Sequence, residues 1–127
     1  MDQTLEGDLM ILEGTESFFP YDPEDETIAS RLALLNLHPT APLWGKGGVL
    51  PSAETLAIEK EILEDFQPIC QALEEKDLSM QRRSLRMVVN DLHWDFSYQE
   101  KEALTLSFSL RRGGFATAVL KELVNVS

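Results

Sequence analysis

The chain has 127 residues, 43% of them apolar and 26% charged, enough for one ordinary domain or parts of two, with a core that needs no staples. Eleven basic against 22 acidic residues leave a net charge of −11, a balance that taken alone argues against a nucleic-acid binder. No apolar run approaches the roughly 18–20 residues of a membrane span, Leu9–Leu12 lacks the basic flank of a signal peptide, and the single cysteine, Cys70, excludes an internal disulfide and a cysteine-pair zinc site. A soluble, reducing compartment, the cytoplasm, is the simplest inference. The charge is uneven: residues 1–77 hold four basic and 17 acidic side chains, a net −13, and residues 78–127 hold seven and five, a net +2. Such asymmetry suggests two pieces with different surroundings.

In chain order, Leu9 to Leu12 is a short apolar run between Gly7 and Gly14 and reads as a strand over 8–12, followed by a turn and a second short stretch that Pro20 and Pro23 stop. Residues 24–36 read as a helix, with Glu24, Asp25 and Glu26 at its start and Ile28, Leu32 and Leu35 at helical spacing. It ends before Pro39, which disfavours helical geometry at His38. Thr40 to Pro51, with three glycines and two prolines in twelve residues, reads as a loop. Ser52 is an N-cap candidate for a strongly amphipathic helix over 53–66, carrying Leu56, Ile58, Ile62, Leu63 and Phe66. Pro68 breaks it, a further helix is expected over 69–76, and Ser79 is a candidate cap for one more turn carrying Gln81, Arg82 and Arg83.

From Leu85 the period changes to two. Strands are expected over 85–89, 92–97 and 103–110, the last with Leu104, Leu106, Phe108 and Leu110 alternating with small polar residues, and a polar turn from Ser97 to Glu102 between the last two. A helix over 115–124 follows the Gly113-Gly114 pair. The expected class is therefore α+β with a mainly antiparallel sheet.

Few residues suggest chemistry. His38 and His93 have no ligand-spaced partners, so no metal site is expected. There is no serine elbow, and Gly45-Lys46-Gly47-Gly48 lacks the ending of a phosphate-binding loop. Asp91, His93 and Asp95 share one side of a strand, yet nothing there activates a nucleophile. Arg82, Arg83 and Arg86 can face phosphates or pair with the acidic helix at Glu59–Glu64. In Arg111–Thr117, glycines that permit close backbone approach precede an aromatic at a helix start, where N–H groups favour anionic or polar ligands. Phe115 can stack on a planar base or cap the core; the residues alone leave both open.

The run Leu106–Leu123 resembles the C-terminal signature of the tRNA pseudouridine synthase D (TruD) family, a strand leading into Gly-Ser-Phe/Tyr-Ala-Thr and then a Val-Leu-Arg-Glu-Leu helix. Gly7-Asp8-Leu9 with Leu12 and Gly14, the loop Pro39–Gly47, and Arg82–Arg86 with Leu92-His93-Trp94 are similar to further family segments in the same order. Arg111 stands where the family usually has proline and Gly114 where it has serine. The resemblance implies that residues 1–87 are the C-terminal part of the family's insertion domain and 88–127 the closing strands and helix of its catalytic domain. It also implies an isomerase that flips uridine out of tRNA and converts it to pseudouridine without a cofactor. Its catalytic aspartate lies in a Gly-x-Lys-Asp context followed by an Asn-x-Phe-Gly motif. Neither occurs here, and the only Lys-Asp pair, Lys76-Asp77, lacks the glycine.

The chain is thus expected to be a C-terminal fragment, inactive alone, with no catalytic residue of its own. Phe115, Gly113, Gly114 and Arg112 are the expected substrate-binding residues, tRNA is the partner of the intact enzyme, and the piece is expected to pair with the missing N-terminal half. The alternative is a stand-alone acidic interaction module that self-associates through exposed apolar surface.

Overall fold

The computed structural model describes residues 2–98 and 102–125. The chain divides into two compact units, Met1–Arg86 and Met87–Ser127.

The first unit contains β1 (Leu9–Leu12), β2 (Phe18–Pro20), α1 (Thr27–Ala33), β3 (Leu37–Leu43), α2 (Ala53–Glu64), α3 (Gln67–Glu75) and β4 (Gln81–Ser84). The strands form one antiparallel sheet in the order β2-β1-β3-β4. Its core is Met10, Ile28, Leu32 and Leu37, with Leu12, Phe19 and Tyr21 packed against them. Each such side chain contributes about 1.5–3 kcal/mol when fully buried.

Helix α1 is shorter than the expected 24–36, for local reasons. The Asp25 carboxylate accepts from both the backbone N–H and the hydroxyl of Thr27, and Asp22 accepts from the N–H of Glu24. The acidic residues thus make turns ahead of the helix instead of its first turn. At the other end Leu35 turns left-handed (φ 61°) and the Asn36 N–H donates to the Arg31 carbonyl at 2.9 Å.

The expected loop from Thr40 is, up to Leu43, part of a central strand. Pro39 lies opposite Met10 and Pro42 opposite Arg82, positions where proline removes ladder donors. Side chains compensate. The Thr40 hydroxyl donates to the Leu9 carbonyl (2.7 Å), and guanidinium groups donate to the carbonyls of Leu37 and Thr40. The composition rule against strands failed because the hydrogen bonds come from residues more than thirty positions away.

The expected helical turn at Gln81–Arg83 is β4. Asp77 (φ 54°) ends α3, and the loop after β3 then holds the chain: the Lys46 N–H donates to the Leu78 carbonyl and the Met80 N–H to the Lys46 carbonyl. That contact feeds residues 81–84 in register beside β3. The expected strand at 85–89 is absent. The Ser84 hydroxyl takes the Arg86 N–H and donates to the Arg86 carbonyl, which curls the backbone locally; alternation without a partner strand makes no ladder.

Helices α2 and α3 match the expected 53–66 and 69–76 closely, with Pro68 in the first turn of α3. Ser52 makes no side-chain cap bond. The start of α2 is tied to the approach to β1 instead: the Ser52 N–H donates to the Gly7 carbonyl, the Thr55 N–H to the Glu6 carbonyl, and the Thr55 hydroxyl to the buried Asp8 carboxylate at 2.6 Å. A Cβ on Gly7 (φ 89°) would lie 1.8 Å from the Ser52 carbonyl oxygen, so only glycine fits. Within α2 only Thr55 is buried, and Ile58, Ile62 and the following Phe66 are exposed. The apolar stripe is therefore not covered by this unit.

The second unit contains β5 (Asn90–Ser97), β6 (Ala103–Ser109) and α4 (Ala116–Leu123), close to the expected 92–97, 103–110 and 115–124. The strands pair antiparallel, with Trp94 opposite Leu106 and Phe96 opposite Leu104. The middle of the expected polar turn between them, residues 99–101, lies outside the described residues. Among the described residues of this unit Val119 alone is buried.

Candidate functional site

The exit from β6 is built by two glycines with different jobs. The Gly114 N–H donates to the Arg111 carbonyl at 2.9 Å, closing a β-turn whose third residue, Gly113, has φ 92°. That position favours glycine on backbone grounds alone, since a Cβ there would meet nothing within 4 Å. At Gly114 the fit is tight but more forgiving: a Cβ would lie 2.7 Å from the sulfur of the flexible Met87 side chain and 3.1 Å from the Arg111 carbonyl oxygen. The turn delivers Phe115 to the N-cap of α4 in extended conformation. The residue is 67% exposed, so it does not cap the core of this unit. Arg112 and Thr117 are exposed beside it. The structure thus gathers Arg112, Gly113, Gly114 and Phe115 in one solvent-facing turn at a helix start, where backbone N–H groups lack helical partners.

Two arginines that the sequence offered to phosphates are turned inward. Arg82 is buried; its Nε–H donates to the Thr40 hydroxyl (2.8 Å), one terminal nitrogen to the Thr40 carbonyl (3.1 Å), and both terminal nitrogens to the Glu59 carboxylate. The pairing with the acidic helix is the reading that holds. Arg86 donates from Nε to His38 Nδ1 (3.0 Å) and from one terminal nitrogen to the carbonyls of Leu32 and Leu37. Arg83 remains exposed. His38 is fully buried, with Nε2 2.6 Å from Glu13 Oε2; the pattern before Pro39 gave no sign of this, because both partners are distant in sequence.

On β5, a bulge between Asn90 and His93, with Asp91 at φ 53°, interrupts the alternation that aligned Asp91, His93 and Asp95, and all three are exposed. Among the described residues no group of three or more His, Cys, Asp or Glu is placed to hold a metal ion, and no helix is long and apolar enough to cross a membrane.

The first unit has a groove of about 310 Å³, lined by Trp44, Leu50, Leu56, Leu63 and Gln67 together with Glu59, Lys60, Glu61 and Glu64. The Trp44 indole N–H donates to Glu74 Oε1 at 2.8 Å, which fixes the ring. Gly45 is essential to this loop, since a Cβ there would lie 2.3 Å from the Leu78 carbonyl oxygen. None of the expected site residues lines the groove; the Leu-Trp-Gly sequence was its only sequence signal.

The second unit also carries an uncovered apolar face. Trp94 and Phe96 on β5 and Tyr98 just past its end follow one another, Trp94 and Phe96 edge-to-face at 5.6 Å and Phe96 and Tyr98 stacked at 6.2 Å. Leu104 and Leu106 lie opposite them. All but Leu106, which is half-buried, are exposed. An isolated two-stranded hairpin is marginal in water.

The family model for tRNA pseudouridine synthase D (TruD) matches residues 1–123. The chain is 38% identical over 122 residues to tRNA pseudouridine synthase D of Nitrosococcus oceani, covering 96% of this chain and 34% of that protein. It is 39% identical to the Pseudoalteromonas atlantica protein of the same name, covering 98% of this chain and 35% of the relative. A Methanosarcina mazei crystal structure assigned to tRNA pseudouridine synthase D superposes with a TM-score of 0.74 at 23% identity, over 95% of this chain and 31% of that one. The chain spans about a third of the length of these relatives. It belongs to the tRNA pseudouridine synthase D family.

Proposed function

We propose that this chain supplies one wall of the uridine pocket of a tRNA pseudouridine synthase and that the reactive aspartate comes from polypeptide outside it. In this reading residues 1–87 are the end of the insertion domain and 88–127 the closing part of the catalytic domain, working in the cytoplasm. The observation that carries it is the exposed Phe115 ring on the Gly113-Gly114 turn, in a chain that matches the family along nearly its whole length. Flipping a uridine out of an RNA stack costs a few kcal/mol. Stacking on an aromatic ring returns about 1–3 kcal/mol per base, so Phe115 offsets much of that cost. Gly114 lets the backbone come close, and Arg112 is available for a phosphate.

The apolar face of Trp94, Phe96 and Leu104 would be covered by the remaining two-thirds of the catalytic polypeptide, which also brings the nucleophile. Tight binding of tRNA by this chain alone is not expected, because a net charge of −11 repels phosphate. The test is to mix the purified chain with the complementary N-terminal region of a close relative and to assay pseudouridine in tRNA. The expected result is no product from the chain alone and product from a one-to-one assembly. Product from the chain alone, or a self-associated chain that ignores the complement, would refute the reading.

A further inference from the structure

We infer that Met87 is a positioning residue for Phe115: its thioether is the floor on which the Gly113-Gly114 turn rests. The inference rests on the proposed role of Phe115 in the uridine pocket and adds the side chain that aims it. All the residues concerned belong to the second unit.

The backbone of Phe115 is held from both sides. Downstream, its carbonyl accepts the Ala118 N–H at 3.0 Å, at the opening of α4. Upstream, it hangs on Gly114, whose N–H closes the turn on the Arg111 carbonyl. Gly113 faces open space, whereas Gly114 is the packed side of the turn. Gly114 does not have a positive φ, so its backbone does not call for glycine; contact is what crowds it. Of the three heavy atoms nearest to a Cβ there, the Arg111 carbonyl oxygen and Leu110 Cβ belong to the turn and the residue leading into it. The nearest, at 2.7 Å, is Met87 Sδ, the one support that comes from a distant part of the sequence. Met87 is 37% exposed and precedes the half-buried Val88 and Val89, so it packs on one side and meets solvent on the other.

An unbranched thioether fills irregular gaps, and here it fills the space that a side chain at 114 would take. Removing it opens a void beneath the peptide that joins Gly114 to Phe115. The turn then has room to sink, and the ring moves with it. A misplacement of about 1 Å at a reacting centre costs up to about 100-fold in rate. Because a base meets the ring only after it is flipped, the loss falls on kcat and not on KM.

The test compares Met87→Ala, Met87→Leu, Phe115→Ala and the double variant Met87→Ala/Phe115→Ala in the complemented enzyme. Leucine places a methyl as many bonds from the backbone as the sulfur and so keeps the floor. Expected are a kcat about 3- to 10-fold lower for Met87→Ala at unchanged KM, near wild-type kcat for Met87→Leu, and no further loss when Met87→Ala is added to Phe115→Ala. A wild-type kcat in Met87→Ala, an effect on KM alone, or losses that multiply in the double variant would overturn the inference and leave the pocket reading intact. A Phe115→Ala enzyme as fast as wild type would remove that reading and the inference with it. NMR of the chain by itself gives an independent check. A nuclear Overhauser contact between the Met87 ε-methyl and the Gly114 α-protons is expected, and Met87→Ala, unlike Met87→Leu, should shift the Phe115 amide resonance. Absence of the contact overturns the inference whatever the activity.

Discussion

Removing the carboxylate that Arg82 depends on, by Glu59→Ala, tests the packing of the first unit. The two side chains are 1% and 12% exposed, so the guanidinium has no route back to water without moving α2 from the sheet. The substitution leaves a buried positive charge with two of its four hydrogen bonds gone, because only those to Thr40 remain. Breaking a buried pair from one side costs about 3–5 kcal/mol. A unit ending at residue 86 has a total stability of about 4–13 kcal/mol at typical per-residue values, so the variant should lose a large share of it. Urea titration followed by far-UV circular dichroism and by the half-buried Trp44 measures the loss. The double variant Glu59→Leu/Arg82→Met, which removes both charges, should recover most of it. A loss below about 1 kcal/mol for Glu59→Ala, or additive effects in the double variant, would show that the pair is not desolvated as the geometry requires.

Gly7→Ala should cost at least about 2 kcal/mol, combining the left-handed φ with the 1.8 Å approach to Ser52; Gly113→Ala, with a similar φ but open space, should cost only about 1–2 kcal/mol in the same urea titration. Phe115→Ala should leave the urea midpoint within error, since the ring is largely exposed. It should nevertheless lower tRNA isomerisation by the complemented enzyme about 5- to 150-fold, the equivalent of one lost base–aromatic stack. The hydrogen bonds from the Thr27 hydroxyl and N–H hold the Asp25 carboxyl below the usual aspartate value of 3.8. Its contribution is therefore present above that value and lost as pH falls through the lower folded-state value. Carboxyl-detected NMR should find Asp25 titrating below 3.8, and Thr27→Ala should raise it.

Elements whose hydrogen bonds close within a few residues were legible in the sequence. Helices α2, α3 and α4 and the β5–β6 hairpin follow from spacing, proline and glycine punctuation and strict alternation. Strands β3 and β4 were not, because their stability comes from distant side chains. Thr40, Arg82 and Arg86 supply donors that two prolines remove, and only the folded sheet brings them to His38 and Leu9. The turn at Arg111–Phe115 was legible for the same local reason as the helices: a positive-φ glycine, a close approach and an aromatic at a helix start are adjacent in the chain. The groove beside Trp44 was not, since its walls come from a loop and a helix whose pairing no local pattern encodes.

The account rests on Phe115 facing the target uridine, and cross-linking measures that contact. With 4-thiouridine at the target position of tRNA bound to the complemented enzyme, irradiation followed by trypsin digestion should label the peptide Gly113–Lys121. Labels confined to residues 1–86, with Gly113–Lys121 unmodified, would contradict it.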